Sequence, residues 1–213
     1  MDSLPLLFVA VTATGAAAAV LSFRLERRWP YAVAKAVASL GFIGTAIAVG
    51  ALHPGWTRLA VGALVASAAG DVALAFRGRK GFLAGLSCFA LAHGIYVSAF
   101  LLYGIEAIPI AAVAVLFVPL LFRGWRTFRD RLPDSLRVAV GIYLAILSTM
   151  VVTGISAGIT HRAVLLACGV MLVAGSDIAV ARERFGRSMF ANKLVGLPAY
   201  YAGQILIALS LAA

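Results

Sequence analysis

Charge is scarce in this chain. Asp, Glu, Lys and Arg make up only 12% of its 213 residues, and just eight of those are acidic. A soluble domain carries about a quarter charged residues, so a surface solvated mainly by water is excluded. Cysteine is scarcer still. Cys88 and Cys168 both fall inside apolar runs, which excludes a disulfide framework and provides no metal-ligand spacing. No basic leader precedes the first apolar run, which follows Met1-Asp2-Ser3. We therefore read that run as a helix of the mature protein, not as a removable signal.

Apolar sequence is what the chain has in abundance, at 63%. A spanning helix takes about 20 mostly apolar residues. Breaks at charges, Pro and Gly define eight such stretches: 4–22, 31–51, 58–76, 82–103, 106–122, 137–155, 163–181 and 193–212. The expected fold is an all-α integral membrane protein with eight transmembrane helices, in a single membrane domain over 1–213. The net charge of +10 is not spread as a nucleic-acid-binding surface would spread it. Fifteen of the 18 cations lie in four alternate loops, at 23–30, 77–81, 123–137 and 182–193. Cytoplasmic loops collect Lys and Arg in this way, so these loops are expected in the cytoplasm and both termini outside. Trp29, Trp56 and Trp125 fall at helix ends, as an interfacial aromatic belt requires. The Ala-rich, Arg-over-Lys composition points to a bacterial inner (plasma) membrane.

One stretch of the third span recurs in the seventh. Gly70-Asp71-Val72-Ala73-Leu74-Ala75 is echoed by Ser176-Asp177-Ile178-Ala179-Val180-Ala181, and a basic loop follows each. The offset of 106 residues is half the chain. Two parallel four-helix repeats, 1–106 and 107–213, are expected, related by an axis along the membrane normal. The echo would set Asp71 and Asp177 at one depth, roughly 6–8 Å inside the cytoplasmic helix ends. Asp is too short to snorkel that far, and an ionisable group within a span by default faces a polar cavity or a partner. Two such acids in matched sequence favour a shared site.

Other polar residues sit within the spans. Lys35 lies about one turn into the second helix, where it can snorkel, hold a lipid phosphate or pair with an Asp. His93 and Tyr96 share a face of the fourth helix and lie deeper. Tyr200, Tyr201 and Gln204 cluster on the eighth, after Asn192 and Lys193. Gly154-Ile155-Ser156-Ala157-Gly158 matches the nucleophile-elbow pattern of serine hydrolases and His161 follows. It falls at the outer end of the sixth span, opposite the acids, and is discounted. His53 and His161 fall in outer loops and His93 near the midplane, so the three histidines are not expected to meet the two acids. No metal and no cofactor are expected, since a zinc site needs three or four clustered ligands.

These residues carry a resemblance. Gly70-Asp71 with Leu74, Phe82-Leu83-Ala84-Gly85 leading to His93-Gly94-Ile95-Tyr96, Ser176-Asp177, and Tyr200-Tyr201 with Gln204 resemble the lysoplasmalogenase family, the YhhN-like integral membrane proteins. Lys35 fits a Lys near the start of the family's second helix, with Ala36 where a Pro commonly follows. The resemblance runs along essentially the whole chain. It implies a membrane hydrolase that cleaves the vinyl ether of lysoplasmalogens to a fatty aldehyde and a glycerophospho-alcohol. It also implies that Asp71 and Asp177 carry the chemistry without a metal. The substrate would be a lysophospholipid, held by Lys35, His93, Tyr96, Asn192, Tyr200, Tyr201 and Gln204. Two other classes remain compatible with the residues alone: a transporter for a small or lipidic solute, and a non-catalytic lipid-binding protein.

Overall fold

In the computed structural model, which describes residues 3–76, 78–185 and 190–212, eight α-helices follow one another. They are α1 (Ser3–Arg24), α2 (Arg28–Ala48), α3 (Trp56–Ala75), α4 (Arg79–Tyr103), α5 (Ala107–Phe128), α6 (Asp134–Thr160), α7 (Val164–Phe185) and α8 (Phe190–Leu209), with a 3-10 turn at Arg129–Arg131. Of the loop cations counted above, Arg77 and Arg187 lie outside the described residues.

Seven of these helices, α1 to α7, are long and apolar enough to cross a membrane. The molecule is thus an integral membrane protein. Large apolar side chains face outward along its length, among them Leu4, Leu40, Ile108, Leu116 and Ile142, and only lipid could solvate such a surface. The eighth helix is as long, but Asn192, Lys193, Tyr200, Tyr201 and Gln204 lower its hydropathy, so length and composition alone do not mark it as a span.

Several boundaries differ from the expected ones. The fifth helix runs on from the expected 122 to Phe128, taking Pro119 within it. The sixth extends past 155 to Thr160, because Gly154, Ser156 and Gly158 serve close packing there and do not end the helix. A Cβ on Gly154 would sit 2.7 Å from both Phe100 and Val170. The fourth begins at Arg79, right after Gly78, whose φ of 100° suits glycine.

Six helices close a ring in the order α2, α3, α4, α6, α7, α8 and back to α2. Outside it, α1 packs over both α2 and α8, and α5 lies against α6. Small residues bring neighbours close where no hydrophobic effect drives association. Gly169 on α7 and Gly203 on α8 face each other: a Cβ on either would come within 2.8 Å of the other's carbonyl. Inside the ring the core is aromatic and aliphatic, with Phe42, Leu64, Tyr96, Phe100, Met150, Leu166 and Val170 all buried.

Candidate active site

Both aspartates project from helices of this ring, and their surroundings differ. Asp71, near the end of α3, is 2% exposed. Its Oδ1 lies 3.0 Å from Lys35 Nζ, and its Oδ2 accepts a 2.7 Å hydrogen bond from Ser39 Oγ. Lys35 and Ser39 are one turn apart on α2, so one helix face supplies both partners. The Tyr201 hydroxyl donates to the Lys35 carbonyl at 3.4 Å, tying α8 to the same spot. Lys35 therefore does not snorkel; it neutralises a buried acid.

Asp177 on α7 meets other groups. Tyr143 of α6 donates to its Oδ2 at 2.8 Å, and His93 Nε2 of α4 lies 4.0 Å from the same oxygen. The expectation that no histidine would approach the acids is thus overturned for His93. Helix length does not account for it: the seventh helix runs to Phe185 and sets Asp177 roughly 12 Å from its end, but the fourth starts at Arg79 and sets His93 roughly 21 Å from its own. The packing accounts for it, since α4 and α7 both lie against α6, whose Tyr143 touches both side chains. His53 adjoins α3 as a carbonyl acceptor for Thr57, and His161 bonds the Gly104 carbonyl and stacks on Tyr103.

An aromatic seam runs between the two acids. Phe89 of α4 stacks close to Gly70, where a Cβ would meet its ring at 2.8 Å. Its ring lies 6.5 Å from His93 and 5.8 Å from Tyr200. Tyr200 is buried with its hydroxyl toward Asp71 and Gln204, and Tyr96 donates to Gln204 Oε1 at 2.8 Å, joining α4 to α8 across the ring. Ser67 Oγ, His93 Nδ1 and the Tyr200 hydroxyl are buried without a hydrogen-bond partner among the described residues. Buried polar atoms are rarely left unpaired; of these three, the Tyr200 hydroxyl is turned toward Asp71 and Gln204 without meeting hydrogen-bond geometry. Asn192, at the start of α8, donates to Glu183 of α7 at 3.1 Å.

The two residues that hydrogen-bond the acids were absent from the sequence reading. Ser39 could have been found from Lys35, since it lies four residues on along the same face. Tyr143 has no echo in the first half, where the 106-residue offset lands on Val37. The serine-hydrolase look-alike is packing: Ser156 Oγ donates back to the Val152 carbonyl at 2.6 Å.

A model of the YhhN family matches residues 30–211. The chain belongs to the YhhN family. Among curated proteins it is similar to the lysoplasmalogenase TMEM86A of Bos taurus, at 32% identity over 177 residues covering 80% of this chain and 69% of that protein. It is also similar to the lysoplasmalogenase TMEM86B of Sus scrofa, at 31% identity over 73% of this chain and 64% of that protein. The lysoplasmalogenase TMEM86A of Homo sapiens is 31% identical over 74% of this chain and 66% of its own length. The chain thus spans slightly under two-thirds of the pig and human proteins. No solved structure matches it.

Proposed function

We propose that this protein hydrolyses the vinyl ether bond of lysoplasmalogens, with Asp71 and Asp177 as the acid/base pair. The observation that carries the reading is two carboxyl groups within the helix bundle of a YhhN-family protein in unlike settings, Asp71 buried against Lys35 and Asp177 partly buried against Tyr143. Three relatives named lysoplasmalogenases support the substrate class.

Vinyl ethers hydrolyse by proton transfer to the carbon β to oxygen, leaving an oxocarbenium ion. Water adds to that ion, loses a proton and gives a hemiacetal. The hemiacetal collapses to a fatty aldehyde and a glycerophospho-alcohol. The reaction needs a proton donor aimed at carbon, negative charge beside the cation and a base for water. Acid/base pairs are recognised by carboxyls whose environments drive them apart. Lys35 and Ser39 set an ammonium and a hydroxyl donor on the two oxygens of Asp71, a setting for the negative charge the cation needs. Asp177, between a phenol and an imidazole, can hand a proton to substrate and recover one from water. The lipid phosphate would stay at the basic end of the bundle, with its alkyl chain running along the helices. No metal enters this scheme.

The eight-span, two-repeat architecture belongs to the same proposal and has support beyond the sequence echo. Gly85 of α4 approaches the Gly70 carbonyl and Gly196 of α8 approaches the Ser176 carbonyl, in each half the residue before the aspartate. From these glycines, Phe89 and His93 follow at the same spacing as Tyr200 and Gln204. In each half the second helix donates a hydroxyl to the third helix's acid, from Ser39 or from Tyr143. The test is aldehyde release from a lysoplasmalogen by the purified protein. Asp71→Asn and Asp177→Asn should each lower it by about 10²–10⁴-fold; near-normal turnover in either well-folded variant refutes the pair. Solute uptake into liposomes without turnover would indicate a transporter instead.

A further inference from the structure

A groove opens between α4 and α6 on the outer face of the bundle. Leu83, Leu86 and Ala90 line one side, and Ala139, Ile142 and Tyr143 the other, around a volume of about 190 Å³. Tyr143 connects this groove to the candidate site, because its ring lines the groove and its hydroxyl donates to Asp177 at 2.8 Å. The Asp177 side chain is 18% exposed, against 3% for Asp71. The seam between α2 and α8, beside Asp71, is covered by α1. The seam between α4 and α6, beside Asp177, carries the groove.

The charge around the groove is uneven along its length. The starts of α4 and α6 lie side by side, with Phe82 packed against Leu132 and Leu136. Arg79 and Lys80 begin α4, and Arg131 and Arg137 flank the start of α6; all four are exposed. One end of the groove is therefore rimmed by cations, of which Arg137 is paired with Asp134 at 2.7 Å, and the rest of its lining is hydrocarbon apart from Ser87. That is the pattern of a single-chain phospholipid, with its phosphate at the cationic end and its chain inside. Sites for drug-sized ligands run to about 300–1,000 Å³, so this narrower groove fits one chain, not the two of a diacyl lipid.

We propose that the α4–α6 groove is the lateral entry and chain-binding site for a single-chain ether phospholipid, delivering its first carbons past Tyr143 to Asp177. This rests on the hydrolase reading for the reaction but not for the binding. Because the chain enters from lipid and not from water, its burial brings no hydrophobic gain, and selectivity rests on the shape of the groove and the cations at its end.

The probe is a saturated 1-O-alkyl lysophosphocholine with a diazirine in its chain, which cannot be hydrolysed as a vinyl ether. It is photolysed with the full chain in nanodiscs, and labelled peptides are mapped by mass spectrometry. Labels should concentrate on 83–90 and 139–143 and fall at least five-fold in Ala90→Trp and Ala139→Trp. Labelling on the separate groove between α1 and α2, lined by Gly15, Ala18 and Ala34, or evenly over the exposed helices, overturns the proposal. The wild-type pattern carries the test where a Trp variant does not fold. In the parallel hydrolysis assay, Ala139→Trp should lower kcat/KM for a long-chain lysoplasmalogen at least ten-fold, and Ala18→Trp should not change it. Groove labelling without hydrolysis by the wild type supports the groove and removes the reaction. Hydrolysis with labels elsewhere retains the reaction and removes the groove.

Discussion

Removing Lys35 should expose how firmly Asp71 is held. At 3.0 Å, with an effective permittivity of 20, the Lys35–Asp71 attraction is about 5.5 kcal/mol. Much of that offsets the desolvation of two charges whose side chains are only 4% and 3% exposed. Breaking such a pair from one side leaves an uncompensated buried charge, at about 3–5 kcal/mol. Lys35→Met and Asp71→Asn should therefore each lower thermal stability by roughly 6–20 °C for a chain of this length. The double variant removes both charges and retains methylene packing, so it should cost only about 1–3 kcal/mol. Thermal unfolding of the four proteins in one detergent, followed by size-exclusion chromatography, closes the cycle. Additive losses, or a Lys35→Met variant as stable as the wild type, would refute a neutralised buried pair. The second outcome would return Lys35 to the interface as a phosphate ligand.

Further outcomes follow from single contacts. Tyr143→Phe removes the donor to Asp177 and should lower kcat by up to about 10²-fold with KM little changed, as misplacement of a catalytic group does; steady-state kinetics on a lysoplasmalogen read the split. Tyr96→Phe breaks the 2.8 Å bond to Gln204 and should cost about 0.6–1.7 kcal/mol, the range of interhelical hydrogen bonds in membranes, measured by unfolding in mixed micelles. Gly203→Leu places a side chain against the Gly169 carbonyl and should destabilise by about 1–3 kcal/mol, seen as a lowered midpoint in the same titration. Ser156→Ala should leave turnover unchanged, since that hydroxyl is spent on the Val152 carbonyl; a dead variant would revive the serine-hydrolase motif.

Much of the helical framework is legible in hydropathy, because spans must satisfy their own backbone and so read as long apolar runs. Less legible is where a helix stops once small residues enter it. Gly154, Ser156 and Gly158 look like the end of the sixth helix, yet they exist so that Phe100, Val170 and Ala167 can close against them. The intramembrane acids stand out because each interrupts an apolar run. Their partners are harder to see. Lys35 is conspicuous and Ser39 follows from it by helical spacing. Tyr143 is the single aromatic residue of α6, but an apolar run does not say which way it faces, and only the packing of α6 on α7 reveals what it holds. The approach of His93 to Asp177 is not legible because depth counted along single helices does not say which side chains meet; the packing of α4 and α7 on α6 decides that.

The contrast between the two aspartates also bears on how a repeated sequence can carry out an asymmetric reaction. The echo around Asp71 and Asp177 lies on the third helix of each half, where the chains agree. The groups that touch the acids come from the second and fourth helices, where they diverge. Lys35 and Ser39 have Gly141 and Ala145 at the 106-residue offset, so the second acid receives no lysine from the equivalent place, and Tyr143 reaches it from a neighbouring turn. On the proposed reading this divergence separates the roles. One carboxyl is fixed by an ammonium group behind a covering helix. The other is left with groups that can exchange a proton, beside the groove that opens toward lipid. A Lys at position 141 would not recreate the pair, because a Cβ there faces Trp125 of α5 at 3.5 Å, on the side of α6 away from Tyr143; a cation placed at Tyr143 itself should suppress hydrolysis further than Tyr143→Phe while the fold persists. Aldehyde release and thermal stability of Tyr143→Lys beside Tyr143→Phe, measured together, decide it: a stable Tyr143→Lys variant as active as Tyr143→Phe would mean that the difference between the two settings has no catalytic consequence.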